Sequence, residues 1–121
     1  MNWFEKSFFN IHVDYHTRHN ALTGAGLTRA GLRSLLGEVR PDMSQIHSKG
    51  HPGIASYPTK VGAFSSNHQE DVMAIYRDVC REMGINFSVY YSSLVDCVAA
   101  NAHEDWRIVK ADGSYYGTGE K

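Results

Sequence analysis

Two short runs of the sequence place ionisable side chains at every second position. In the first, His12, Asp14 and His16 are separated only by Val13 and Tyr15. Residues two apart in an extended chain point to one side, so two imidazoles and a carboxylate converge there. Such a group can bond the hydroxyls of a ligand, exchange a proton near neutral pH or hold a divalent cation. In the second run, His47, Lys49 and His51 repeat the spacing and lead into Pro52 and Gly53, where the backbone must turn. A third polar group, Tyr90, Tyr91, Ser92 and Ser93, ends an apolar stretch. Burying such groups without partners costs about 1 to 3 kcal/mol each, so a chain that aims them inward supplies partners, a ligand or a metal. The plainer reading is structural: Asp14 bonds the two histidines and the loop amides. Aromatic rings stack on the apolar faces of sugars while hydroxyls, imidazoles and carboxylates bond their OH groups, so the mixture suits a carbohydrate better than a phosphate or nucleotide. Neither a GxGxxG nor a P-loop pattern follows any expected strand.

The elements that must position these groups follow from periodicity. From Phe9 to His16 the chain alternates, with Phe9, Ile11, Val13 and Tyr15 on one face and Asn10, His12, Asp14 and His16 on the other, which predicts a first strand. The polar stretch HTRHNALTGAG leads to Thr28, an N-cap for a helix carrying Leu32, Leu35, Leu36 and Val39 on one stripe, and Pro41 stops that helix. A second strand is expected over Met43 to His47, followed by a long loop, SKGHPGIASYPTKVG. Helical spacing returns at Val72, Ile75, Tyr76, Val79 and Met83, with Glu70 and Asp71 at the N-terminal end and Gly84 as a C′ glycine. Ile85 to Tyr91 reads as a third strand, with a short helix around Asp96 to Asn101 and a hairpin, WRIVKADGSYY, turned at Asp112 and Gly113. The order β-α-β-α-β describes parallel strands joined by crossovers. Polar residues gather at the C-terminal ends of the strands and the loops after those ends are the longer ones, which favours a barrel over an open sheet. The expected class is therefore α/β: the N-terminal portion of a (β/α)8 TIM barrel, with about three parallel strands and intervening helices.

Length and composition bound the function. The 121 residues suffice for one compact domain but are about half of the ~250 that a complete barrel requires, so residues 1–121 are expected to form one domain, the N-terminal part of a barrel. Twelve basic and thirteen acidic residues give a formal net charge of −1 with no basic stripe, and nothing supplies the counterion-release term that nucleic-acid binding needs. No apolar run approaches the ~20 residues of a bilayer span, so no membrane partner is expected. The opening MNWFEKSFFN interleaves charge with aromatics and has no continuous apolar region, so the expected compartment is the cytoplasm. Cys80 and Cys97 lie in apolar contexts without CxxC spacing and are expected to be reduced, buried thiols.

The segments IHVDYH, HSKGHPGIASYPTKVG, INFSVYYSS and HEDWRIVKADG, with the helix ending at Gly84, make the chain resemble the N-terminal region of hypothetical glycosyl hydrolases related to the α-L-fucosidases. The resemblance runs from about Trp3 to Gly113, and its most specific element is Tyr57-Pro58-Thr59-Lys60-Val61-Gly62 shortly after His51. It implies a retaining barrel glycosidase without a cofactor or metal, acting on a carbohydrate, in which His12, Asp14, His16, His47, Lys49, His51, Tyr57, Tyr90 and Tyr91 line the sugar pocket. It further implies that nucleophile and acid lie on later strands, beyond Lys121, and that the full-length protein is an oligomer carrying a domain like the trimerisation domain of β-galactosidases. Family members usually present an aromatic residue where this chain has Ala55-Ser56, and the resemblance does not extend to the loop RHNALTGAG.

The carboxylates agree with a binding role. Only Asp14 falls on the inward face at a strand end and Asp96 lies in a following loop, while Glu38, Glu70, Asp71, Asp78 and Glu82 fall on or beside helices. A retaining glycosidase needs two carboxyl groups flanking the scissile bond, so this stretch offers at most one well-placed member of the pair. Two other functions fit parts of the pattern. His12, Asp14 and His16 could hold zinc or manganese in a metal-dependent barrel of amidohydrolase type, and the chain could be a non-catalytic carbohydrate-binding domain.

Overall fold

The computed structural model describes residues 2–116. Strand β1 (Asn10–Val13) is followed by helix α1 (Arg29–Val39), strand β2 (Met43–Lys49), short strands β3 (Ile54–Ala55) and β4 (Ala63–Phe64), helix α2 (Val72–Met83), strand β5 (Asn86–Tyr91) and helix α3 (Cys97–Ala102). β2 pairs in parallel with β1 along one edge and with β5 along the other, Ile46 facing Val13 and Val89. This is the expected β-α-β-α-β unit, an α/β arrangement with its helices on one face.

The helices begin and end where the sequence predicts. The Thr28 hydroxyl accepts from the Gly31 N–H at 3.0 Å, and Asp71 accepts from the Ala74 N–H at 2.9 Å, each satisfying an amide that the first turn leaves free. Gly84 closes α2 at φ 68°, a left-handed position that a side chain would strain. Leu32 and Leu36 of α1 meet Ile75, Tyr76, Val79 and Cys80 of α2 and Ile46 of β2 in one buried cluster, flanked by Ile11, Val13, Ile85 and Phe87. Leu35 and Val39, expected on the same apolar stripe, are exposed. The helix seats on Leu32 and Leu36, and the stripe is narrower than its spacing suggests.

Four further differences bear on the site. β1 ends at Val13 rather than His16, while β2 extends to Lys49. β3 takes the edge of β2 that β1 vacates, pairing antiparallel at Lys49 and Ala55, and β4 runs parallel to β3, so part of the long loop is sheet. Two-residue strands carry too little periodicity to be read from sequence. Cys80 is buried as expected, whereas Cys97 opens α3 and is only half-buried; neither forms a disulfide among the described residues. The hairpin is present, with Val109 opposite Tyr115 and Gly113 at φ 80°. No helix of the described residues is long and apolar enough to cross a membrane.

Candidate functional site

The sheet has two chemically distinct faces. Ile11, Val13, Ile46 and Phe87 turn toward the helices, so their neighbours His12, Gln45, His47, Ser88 and Tyr90 turn to the opposite face. There they bond one another. The Gln45 amide donates from Nε2 to Ser88 Oγ at 3.1 Å, and its Oε1 lies 2.9 Å from His12 Nδ1. His12 Nε2 in turn lies 2.9 Å from His47 Nε2, and the Tyr90 ring stacks on His47 at 4.3 Å between centroids.

Beyond the end of β1, the two-residue alternation persists without the ladder: Tyr15 is half-buried while Asp14 and His16 are exposed. Asp14 Oδ1 comes 2.9 Å from His47 Nδ1 and 3.1 Å from His16 Nε2. His51 joins from the turn after β2, its Nε2 lying 3.3 Å from the Tyr90 hydroxyl and its ring 5.4 Å from that of His16. Six of the residues singled out from sequence, His12, Asp14, His16, His47, His51 and Tyr90, therefore form one cluster at the C-terminal ends of β1, β2 and β5. Burial lowers the pKa of His47 and favours its neutral form; His12 and His16 act in the same direction, while Asp14 and the Tyr15 carbonyl oppose it.

Lys49, Tyr91 and Tyr57 stand elsewhere. In the pairing of β2 with β5, His47 faces Tyr90 and Lys49 faces Tyr91, so Ser48 is an extra residue on β2. This bulge carries Lys49 away from the His47 face, where simple alternation would have left it. Ser48 occupies the kink, its hydroxyl donating to the Tyr90 carbonyl oxygen at 2.8 Å. The Lys49 ammonium pairs with Asp96 and lies 4.4 Å from the centre of the Tyr91 ring. Tyr57 follows β3, and among the described residues no hydrogen bond or ring contact joins it to the cluster.

Asp96 ties several elements together. Its Oδ1 accepts from the Ala99 N–H at 2.8 Å, capping α3, while Oδ2 holds Lys49. A side chain at Gly53, at φ 84°, would strike the Asp96 carboxylate, so the turn after β2 closes against α3 only with glycine there. The Cys97 N–H donates to the His51 carbonyl oxygen at 3.0 Å, fixing the same turn. The loops after β1 and β2 are likewise joined, by the Ser66 N–H to the His19 carbonyl oxygen at 2.8 Å and the Ser65 hydroxyl to that of Ala21 at 2.5 Å. Gln45 and Ser88 escaped the reading of the sequence although each lies two residues before a residue it singled out, so the alternation itself could have found them.

Comparison with solved structures places this arrangement. α-L-Fucosidase isoenzyme 2 from Paenibacillus thiaminolyticus superposes with a TM-score of 0.80 over 88% of this chain, at 18% identity. The chain has the fold of part of an α-L-fucosidase. The fucosidase AlfC from Lactobacillus casei, in complex with α-L-fucose product, matches 64% of the chain at a TM-score of 0.54 and 23% identity. Its unliganded form matches 66% at 0.56 and 22% identity. The chain spans 16% of the Paenibacillus fucosidase and 25% and 26% of the two Lactobacillus chains. No family model and no curated protein sequence matches it.

Proposed function

We propose that this chain is the N-terminal part of a (β/α)8-barrel glycoside hydrolase of α-L-fucosidase type, and that it supplies sugar-binding side chains at the barrel mouth. The observation that carries the reading is the convergence of His12, Asp14, His16, His47, His51 and Tyr90 at the C-terminal ends of three parallel strands, in a fold shared with α-L-fucosidases. Barrel enzymes keep their active sites at that end. The cluster presents imidazole, carboxylate and phenol groups, each able to bond a sugar hydroxyl, with the Tyr90 ring beside them for the apolar face. Lys49, Tyr91 and Tyr57 belong to the rim of the pocket in this reading, with Lys49 acting through Asp96 and the turn that bears His51. The two carboxylates that break the glycosidic bond come from later strands, so this stretch binds and orients rather than cleaves. The complete protein is read as an oligomer of the cytoplasm that requires no cofactor.

Titration calorimetry with L-fucose tests the reading in the longer chain that it requires. His12→Ala and His51→Ala are each expected to weaken affinity by about 1 to 3 kcal/mol without changing the far-UV spectrum, because each removes a hydrogen bond to a desolvated hydroxyl. Equal affinities for wild type and both variants would remove these side chains from the pocket.

A further inference from the structure

The structure assigns a divalent-cation site to Asp14, His16 and His47. One ligand atom from each lies within 4.8 Å of the others. Asp14 Oδ1 stands 2.9 Å from His47 Nδ1 and 3.1 Å from His16 Nε2. A four-coordinate zinc ion with bonds of ~2.0 Å sets its ligand atoms about 3.3 Å apart, so closure on a cation needs shifts of only a few tenths of an ångström at these two edges. Two imidazoles and one carboxylate form a donor set that suits zinc and its neighbours in the transition series.

A second observation points the same way. The His47 side chain is 6% exposed, and its Nδ1 has no aligned hydrogen bond among the described residues despite the nearby carboxylate. The chain of bonds across the sheet explains what that atom offers. With the Gln45 amide donating to Ser88, its Oε1 must accept from His12 Nδ1. His12 Nε2 then accepts from His47 Nε2, which leaves His47 Nδ1 as a bare lone pair facing Asp14 Oδ1. Two electron-rich atoms in close approach repel, and a cation bound to both converts that repulsion into attraction. The hydrogen bond at Nε2 also holds the ring in one tautomer and orientation, as a metal-binding histidine requires. Asp14 and His16 are 52% and 47% exposed, so the remaining coordination positions open to solvent.

The cation site stands without the sugar reading, but it uses side chains assigned to the sugar pocket, so cation and sugar would compete. Zinc chloride is titrated calorimetrically into chain stripped with EDTA, for wild type, Asp14→Asn, His16→Gln and the control His103→Gln at the end of α3. The expected result is one saturable site in wild type and in the control, with affinity falling roughly 10-fold or more in Asp14→Asn and His16→Gln, the loss that even an outer-shell partner can cause. Both altered positions are half-exposed, and far-UV spectra check that the variants fold. Cobalt(II) in place of zinc should give visible absorption in wild type that Asp14→Asn lacks. Equal zinc affinity in all four proteins, a loss shared by the control, or no saturable uptake by wild type would overturn the site. Repeating the wild-type titration in L-fucose on the longer chain that the sugar reading requires separates the two readings: a fall in apparent zinc affinity supports the shared pocket, whereas an unchanged value counts against the sugar reading alone.

Discussion

Among the cluster's imidazoles, His47 is the one that solvent barely reaches, and its protonation is set by neighbours that sequence alone does not connect. Burial favours the neutral ring, and the bonds running from Ser88 through Gln45 and His12 place its hydrogen on Nε2. Two-bond nitrogen–proton correlation spectra of labelled protein are therefore expected to show His47 as the Nε2–H tautomer and His12 as the Nδ1–H tautomer. Nδ1–H on His47 would mean that the Gln45 amide is reversed, with its Nε2 donating to His12. At this scale the sequence was informative about which groups meet and silent about how they bond. Alternation brought His12, Asp14 and His16 to one side because it reports side-chain direction, which persists past Val13 where the ladder stops. It misplaced Lys49, because a bulge adds a residue without leaving a periodic trace.

The elements are held in place by contacts at their ends, and Asp96 shows how much rests on one of them. Its carboxylate caps α3, pairs with Lys49 and abuts Gly53. Asp96→Ala is expected to cost about 1 kcal/mol for the cap and roughly 3 kcal/mol for leaving a buried ammonium without its counter-charge. Asp96→Asn keeps a capping oxygen and loses only the second contribution. Urea unfolding of the two variants measures the split, and an Asn variant as stable as wild type would show that the ion pair contributes nothing. The pH dependence follows from the same contacts. Burial by itself would raise the Asp96 pKa, but the Ala99 N–H and the Lys49 ammonium outweigh it and hold the group below its ordinary value. A carboxyl depressed in the folded state stabilises fully above its unfolded pKa of about 3.9, and that contribution is lost as pH falls through the folded value. Wild type should therefore lose stability more steeply than Asp96→Asn below about pH 4. The cap at Thr28 made α1 legible, and Asp71 and Asp96 likewise sit one residue before a helix and cap it. β3 and β4 were not, since their position depends on which edge of β2 is free.

At the scale of the molecule, one sheet face is covered by α1 and α2, while the outer strands and the segment after β5 leave large apolar groups in solvent. Val89 and Tyr91 on β5 and Leu94, Trp106, Ile108 and Val109 beyond it are all exposed. Open strand edges beside such groups favour association, so the 121-residue chain is expected to show a solution mass above 13.6 kDa in light scattering. A monomer unfolding in one cooperative step, with a urea m-value of ~1 to 3 kcal/mol/M, would count against the barrel-segment reading. Sequence carried the β-α-β-α-β order because each helix and strand is long enough to show a period; the larger architecture rests on strand pairings that periodicity cannot express. The kink at Ser48 has a consequence for how such a surface can be inherited. It keeps the ammonium of Lys49 apart from the imidazoles by the length of the strand and not by the chemistry of any residue. In the gene, one extra codon between His47 and Lys49, with the kink kept, would carry the ammonium one place along β5 and back to the imidazole face, whereas loss of the Ser48 codon would leave Lys49 opposite Tyr91 as it is now.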